Sequence, residues 1–275
     1  MLTRHGAGDF KGGGSCLLPS KGLPSSYEYI ESKILGIKCF NQIINPTRAV
    51  DMNLKDRLLR VRLFLLKKGF PGSNHFWINE YKTGGNSGPG SYGDLARFKA
   101  KVLNDFVKQN GIGTVFDFGC GDGNQLSLAQ YKSYVGFDIA PGAIELCVDR
   151  FSNDGSKSFI LFQPEFFKLG DNLLSDLSIS LDVIFHLVEY EKYQLHLRQL
   201  FGSSQKWVVI YGIDSDSFFP EPYSKPRKFT SWVEANLPDW SLDSVVKNEY
   251  PVGSGVSSSL ADFYIFRRTI DRLVA

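Results

Sequence analysis

The sequence predicts an α/β fold in which a mostly parallel sheet carries helices on both faces. From residue 114 onward, β-branched or aromatic runs alternate with helix-like segments, which is the order of parallel strands joined by crossover helices. The last two strand-like runs, 240–250 and 262–267, have no helix between them, which indicates an antiparallel edge. A chain of 275 residues, of which 22% are charged, is long enough to bury a substantial core.

The individual elements follow from local patterns. Apolar residues at helical spacing predict a helix over 95–109, which Gly111-Ile-Gly113 ends. The glycine-rich segment 84–93 excludes a regular element there, and Pro141 suits the first turn of a helix. We expect strands at 114–118, 134–139, 158–162, 176–183 and 207–211, and helices at 125–130, 141–151, 191–201 and 229–236.

The N-terminal part differs from the rest in charge. Residues 1–75 hold 12 Lys/Arg and 5 Asp/Glu, whereas 76–275 hold 19 and 24. Residues 1–51 are expected to be a poorly structured or accessory segment that catalysis does not need and that precedes the native start. Residues 52–75 predict a basic amphipathic helix and a linker. The basic stretch 54–68 would either contact a membrane surface or a partner, or pack on its own domain.

Several classes of protein are excluded by composition. No apolar run reaches the ~20 residues of a membrane-spanning helix, and no apolar signal region follows the N-terminus. The four cysteines form neither a CxxC pair nor a disulfide framework. We therefore expect a cytoplasmic protein without a metal, and a net charge of +2 argues against nucleic-acid binding.

The chemistry is expected at a glycine-rich loop after the first strand. Its spacing is G-x-G-x-G, unlike the G-x-G-x-x-G of dinucleotide sites, and Asp117 precedes it where a carboxylate would favour a cationic ligand group. Asp138 closes the next strand, 19 residues after Gly119, and is placed to bind both hydroxyls of a ribose. These features together predict a nucleoside-ligand site. The alternative is that Asp117 caps a turn and Asp138 begins a helix.

These residues resemble the class I S-adenosylmethionine-dependent methyltransferases. The fourth-strand region 180–189, Ser-Leu-Asp-Val-Ile-Phe-His-Leu-Val-Glu, is similar to the Asp-Val-x-x-His-Leu of that family. The resemblance covers roughly 76–270, makes 76–275 the methyltransferase domain, and implies a Rossmann-like sheet of seven strands whose last strand is antiparallel. It also implies S-adenosylmethionine as the cofactor. The first motif and second-strand acid of the family correspond to Asp117, Gly119, Gly121, Gly123 and Asp138.

The resemblance also implies roles for single residues. His186 is the expected base for a hydroxyl acceptor, or else a structural histidine bonded to a loop. Asp182 is the second expected catalytic group, unless it caps the turn. Cys120 fills space within the loop. The residues expected to bind the donor are Asp117, Gly119, Cys120, Gly121, Gly123, Asn124, Asp138, Ile139 and Leu181.

The acceptor is expected near the fifth strand. Acids, aromatics and cations there suit a sugar or an anionic group, or simply the start of a helix with a basic face.

The segment 76–100 is similar to the opening of bacterial methyltransferases often found with polysaccharide-synthesis genes, and its loop 84–91 would be a lid or a linker. The predicted acceptor-binding residues are Asp214, Tyr223, Arg227 and Lys228.

We expect methyl transfer to a small-molecule or saccharide hydroxyl. The alternatives are an N-methyltransferase acting on a small amine and a binding protein that keeps the donor site without chemistry. The sequence sets neither the acceptor nor the oligomeric state.

Overall fold

The computed structural model describes residues 69–167, 173–217, 219–254 and 257–269. The two N-terminal segments predicted above, 1–51 and the basic stretch 54–68, lie outside the described residues. The division of the chain into these segments and a main domain therefore stays a prediction. No helix within the described ranges is long and apolar enough to cross a membrane.

The described residues form seven strands and five helices longer than one turn. The strands are β1 (Thr114–Phe118), β2 (Ser133–Asp138), β3 (Lys157–Leu161), β4 (Ser175–Leu181), β5 (Ser204–Gly212), β6 (Trp240–Val246) and β7 (Asp262–Arg268). The helices are α1 (Ser73–Lys82), α2 (Gly93–Gln109), α3 (Pro141–Arg150), α4 (Tyr190–Gly202) and α5 (Phe229–Asn236).

All seven strands belong to one sheet, in the order β3-β2-β1-β4-β5-β7-β6. The pairs β3-β2, β2-β1, β1-β4 and β4-β5 are parallel, and β7 runs antiparallel to both β5 and β6. The predicted fold class is confirmed. Because the chain moves outward from β1 in one direction and from β4 in the other, a crevice opens between the carboxyl ends of these two strands.

The core lies on both faces of the sheet because the central strands are covered on both sides. Val115 of β1 joins a cluster with Phe98 and Leu103 of α2. The next residue, Phe116, points to the opposite face and packs with Leu197 of α4. Alternation along the strand therefore places Asp117 on the α2 face, two residues after Val115.

Two predicted elements are shorter than expected. The helix expected at 125–130 is a single 3₁₀ turn, Leu126–Leu128. Side chains compete for the backbone there: Ser127 Oγ donates to the Asn124 carbonyl at 2.6 Å, and the Gln130 N–H donates to Asn104 Oδ1 at 2.8 Å. The strand expected at 240–250 ends at Val246.

Two further differences concern the elements around the crevice. The helix α1, which was not predicted, begins at Ser73, three residues before the predicted start of the main domain at residue 76. A 3₁₀ turn, Pro89–Ser91, lies in the segment for which no regular element was expected. The strand β4, expected to reach residue 183, ends at Leu181 because Asp182 adopts φ 59°, which no strand residue takes.

Candidate active site

A cleft of about 1090 Å³, including its open mouth, lies at the carboxyl ends of β1 and β4. Ligand sites commonly occur at this point of parallel sheets. Of the predicted donor-binding residues, those that line the cleft are Asp117, Gly119, Cys120, Gly121, Asp138, Ile139 and Leu181. Both predicted catalytic residues, Asp182 and His186, line it as well.

The loop after β1 brings bare backbone into the cleft. Gly119 and Gly121 have φ of 98° and 59°, a region that favours glycine. A side chain at Gly119 would overlap Val183, and one at Gly121 would overlap the Ser87 hydroxyl. The N–H groups of Gly119 and Cys120 both donate to the Phe137 carbonyl, at 2.8 and 3.1 Å, which fixes the turn against β2.

Asp117 is a buried carboxyl group in the wall of this cleft. Its Oδ2 accepts a hydrogen bond from the Tyr134 hydroxyl at 2.9 Å, whereas Oδ1, although buried, has no hydrogen-bond partner among the described residues. Burial raises the pKa of Asp117 to about 7, even though the Tyr134 hydrogen bond lowers it. A carboxylate oxygen left without a partner in a buried site fits a ligand that brings a cationic donor.

Asp138 stands at the tip of β2, beside the glycine loop. Its Oδ2 accepts from the Gly121 N–H at 3.0 Å and its Oδ1 from the Ala140 N–H at 2.9 Å. Burial raises its pKa, and these backbone N–H groups oppose the change. Each carboxylate oxygen has a further lone pair, so the oriented group can still accept from two ligand hydroxyls.

His186 also lines the cleft, at the end of the 3₁₀ turn Ile184–His186. Its Nδ1 is 3.0 Å from the Tyr223 carbonyl. Because a carbonyl can only accept, Nδ1 carries the proton and Nε2 is the basic nitrogen. The Trp77 ring meets the imidazole edge-on at 4.8 Å between centroids. Burial lowers the pKa of His186, which favours the neutral form.

Asp182 forms an ion pair that was not predicted. Its Oδ2 is 2.6 Å from Nζ of Lys99, whose side chain is 1% exposed and also lines the cleft. A lysine in a helix usually points to solvent, which is why sequence reasoning passed over it. A signal was present: Lys99 is four residues after Leu95 and four before Leu103, within the buried stripe of α2.

The glycine-rich segment 84–91, which we call the roof loop, is hydrogen-bonded to the loop after β1. Asp122 Oδ2 accepts from the Ser87 N–H at 3.2 Å and from the Tyr92 hydroxyl at 2.5 Å, and the Asp122 N–H donates to Ser87 Oγ at 2.9 Å. Burial acts to raise the pKa of Asp122, but these bonds and one from the Asn124 N–H outweigh it and lower the pKa. Ser87 and Ser91 line the cleft, so the roof loop covers part of it.

Two predicted donor-binding residues lie beside the cleft without lining it. Gly123 adjoins the Cys147 thiol of α3 and the ring of Phe151, which directly follows that helix. A Cβ added at Gly123 would lie 2.8 Å from the Phe151 ring. Asn124 Nδ2 donates to the Ser91 carbonyl at 2.7 Å and thereby ties the roof loop to the glycine loop.

The four predicted acceptor-binding residues do not line the cleft, and three of them have partners within the described structure. Asp214 accepts from the N–H and hydroxyl of Thr230 at the start of α5, at 2.9 and 2.7 Å. Lys228 is exposed. Tyr223 stacks on Phe76 at 5.0 Å and offers its carbonyl to the histidine.

Arg227, the fourth of these residues, donates to the carbonyls of Leu187 and Val188, at 2.8 and 2.6 Å, and lies over the Tyr193 ring. It therefore supports the segment that carries the histidine without lining the cleft itself.

No family model matches the sequence, and a search of curated proteins gives no match. Solved structures do match. The methyltransferase domain of bacterial CtHen1 has a TM-score of 0.52 and 17% identity, over 64% of this chain and all of that domain. The N-methyltransferase NodS from Bradyrhizobium japonicum, crystallised with S-adenosyl-L-homocysteine, has a TM-score of 0.50 and 13% identity, over 62% of this chain and 85% of NodS. The chain therefore has the class I methyltransferase fold that the sequence resemblance implied.

No group of His, Cys, Asp and Glu that could hold a metal ion occurs among the residues described by the structure.

Proposed function

We propose that the protein is an S-adenosylmethionine-dependent methyltransferase. The observation that carries this proposal is the partnerless, buried Oδ1 of Asp117 beside a glycine loop with bare backbone. That combination suits a ligand with a cationic amino group that approaches the backbone at the end of β1. The fold shared with methyltransferases supports the same conclusion.

The residues of the cleft fit the donor from end to end. Asp117 would accept from the α-ammonium group, and Asp138, held by the Gly121 and Ala140 N–H groups, would accept from the ribose hydroxyls. Ile139, which follows Asp138, would pack against the adenosine part. When bound, S-adenosylmethionine supplies an electrophilic methyl group on a sulfonium.

The chain supplies a base and excludes water. Nε2 of His186 would take the proton from an acceptor hydroxyl as the oxygen attacks, because Nδ1 is held by the Tyr223 carbonyl and burial favours the neutral ring. Trp77 restricts the orientation of the imidazole. The roof loop covers one side of the cleft, which keeps the reacting groups aligned and dry.

The acceptor that suits this site is a small molecule or a saccharide with a free hydroxyl. A buried base is needed for a hydroxyl, whereas an amine can attack in its neutral form without one. The similarity of segment 76–100 to methyltransferases of polysaccharide synthesis favours a saccharide. Asp182 is paired with Lys99, so His186 is the better base of the two.

The test is methyl transfer from labelled S-adenosylmethionine into pools of saccharides, small alcohols and small amines. We expect S-adenosylhomocysteine and a product heavier by one methylene group from a hydroxyl pool. His186→Gln should lower turnover on the order of 100- to 10,000-fold, whereas His75→Gln, at an exposed position of α1, should not change it.

Two outcomes would contradict the proposal. Donor binding without S-adenosylhomocysteine from any pool would indicate a binding protein. A methylated amine formed at the same rate by His186→Gln would contradict the hydroxyl acceptor and the role of His186 as the base, and would indicate an N-methyltransferase.

A further inference from the structure

The buried ammonium group of Lys99 carries an inference beyond the reaction class. Its side chain is 1% exposed, yet it lines the cleft together with Asp117 and Asp182. Removing an ammonium from water is costly unless it is paired. The ion pair with Asp182 offsets that cost within the described structure, and the Tyr211 ring lies 5.2 Å from the nitrogen.

One ion pair does not exhaust the hydrogen-bonding capacity of this group. An ammonium has three N–H donors, and the hydrogen bond to Asp182, at 2.6 Å, uses one of them. Since the side chain reaches the cleft wall, the remaining donors are available to a ligand that brings an anionic oxygen.

The charges around the cleft match a zwitterion. Asp117 lies on the α2 face of the sheet, and Lys99 comes from α2 itself, so a carboxylate and an ammonium approach the cleft from the same side. The amino-acid end of S-adenosylmethionine carries one charge of each sign on a single carbon. The Lys99 charge acts to lower the pKa of Asp117, so the two groups are close enough for one cleft to bind both charges of such a ligand.

We propose that Lys99 binds the carboxylate of the donor's amino-acid end and that Asp182 is the positioning residue that holds Lys99 in place. This inference rests on the proposed function. It assigns Asp182 to donor recognition rather than to proton transfer. It also makes the site selective for a donor that retains its carboxylate, against nucleosides that carry the amine alone.

The test compares two probes on the full-length chain by calorimetry: S-adenosylhomocysteine and its decarboxylated analogue, which keeps the amine and the adenosine. For the unmodified protein we expect the decarboxylated analogue to bind on the order of ten- to a hundredfold more weakly, the loss typical of one hydrogen bond between charged groups. Equal affinities would overturn the inference while leaving the donor site intact, whereas no binding of either probe would overturn the proposed function itself.

Variants identify the residue responsible. Lys99→Met should bind both probes with affinities within about threefold of each other, because one hydrogen bond to the carboxylate is lost and the bond to the ammonium is kept. Asp182→Asn should reduce the preference, and Lys99→Arg should retain it. The control is Lys101→Met on the same helix, whose side chain is 69% exposed and which should keep the full preference.

A Lys99→Met protein that keeps the preference of the unmodified chain would refute the role of Lys99. Circular dichroism and thermal melting establish that each variant is folded. If Lys99→Met does not fold, the unmodified protein still tests the inference, because equal affinities for the two probes would overturn it. Lys99→Arg then tests the residue, because this variant should keep the preference.

Discussion

Asp117→Asn is expected to stabilise the protein at alkaline pH and to weaken donor binding at the same time. The carboxyl group ionises near its ordinary pKa of 3.8 in the unfolded chain, whereas burial raises the pKa to about 7 in the folded protein. Between these pH values the folded state binds one more proton than the unfolded state. The free energy of unfolding therefore falls as the pH rises through this window and levels off above it.

The magnitude follows from the pKa change. One pKa unit corresponds to about 1.4 kcal/mol, so an ionised Asp117 destabilises the folded protein by about 4 kcal/mol at most. Asparagine has no charge to bury, and its amide can still accept from the Tyr134 hydroxyl. The stability advantage of Asp117→Asn over the unmodified protein should thus grow by about 2 kcal/mol between about pH 5.5 and about pH 8.5.

The assay is urea unfolding followed by tryptophan fluorescence at the two pH values. The control is Asp176→Asn. Burial acts to raise the pKa of Asp176, but hydrogen bonds from the Gly113 N–H and Lys206 outweigh burial and lower the pKa. Asp176 is therefore ionised in the folded and the unfolded state at both pH values. Its effect on stability should be the same at each pH. An Asp117→Asn advantage that does not change with pH would show that burial does not raise the pKa of Asp117.

Three further predictions follow from the geometry. Donor affinity should fall by up to about tenfold per pH unit below pH 7, because a proton must leave Asp117 before it binds an ammonium group. An affinity that stays constant from pH 6 to pH 8, measured by calorimetry, would contradict this. Tyr92→Phe removes the 2.5 Å hydrogen bond to Asp122 and should raise amide exchange in the roof loop about tenfold or more; unchanged exchange would show that the bond does not hold the loop. Arg227→Met leaves two carbonyls without a partner and should cost about 2–4 kcal/mol in urea unfolding with donor affinity kept within about threefold, whereas a selective loss of affinity would place Arg227 in the site.

The fold, and the position of the residues after β1 and β2 in the cleft, could be predicted because their determinants are local. A buried strand runs into glycines, one acid precedes these glycines, and another acid stands at the tip of the next strand. Chain geometry alone therefore places Asp117, Gly119 and Asp138 near each other. The elements between them are short, so the sequence leaves few alternatives. The closing strands were also predicted, but not that β7 lies between β5 and β6, since pairing between distant strands is not encoded locally.

The rest of the site depends on contacts between residues far apart in the chain. Lys99 and Asp182 are 83 positions apart, so neither residue reveals the pair by itself. Asp214 and Arg227 are residue types common in ligand sites. Their partners, however, are protein groups: Asp214 accepts from the start of α5, and Arg227 donates to carbonyls before α4. Residue type indicates that such side chains make polar contacts, but only the folded chain determines whether the partner is a ligand or the protein itself.

We propose that the cleft is a donor site organised by Asp117 and Asp138, and calorimetric titration of the full-length protein with S-adenosylmethionine tests this most directly. We predict saturable binding of one donor per chain, weakened on the order of tenfold or more by Asp138→Ala, because this variant removes the carboxylate that would accept from the ribose hydroxyls. The exposed Asp149→Ala on α3 is the matched control and should bind as the unmodified protein does. No binding at millimolar donor, or equal binding by Asp138→Ala, would contradict the claim.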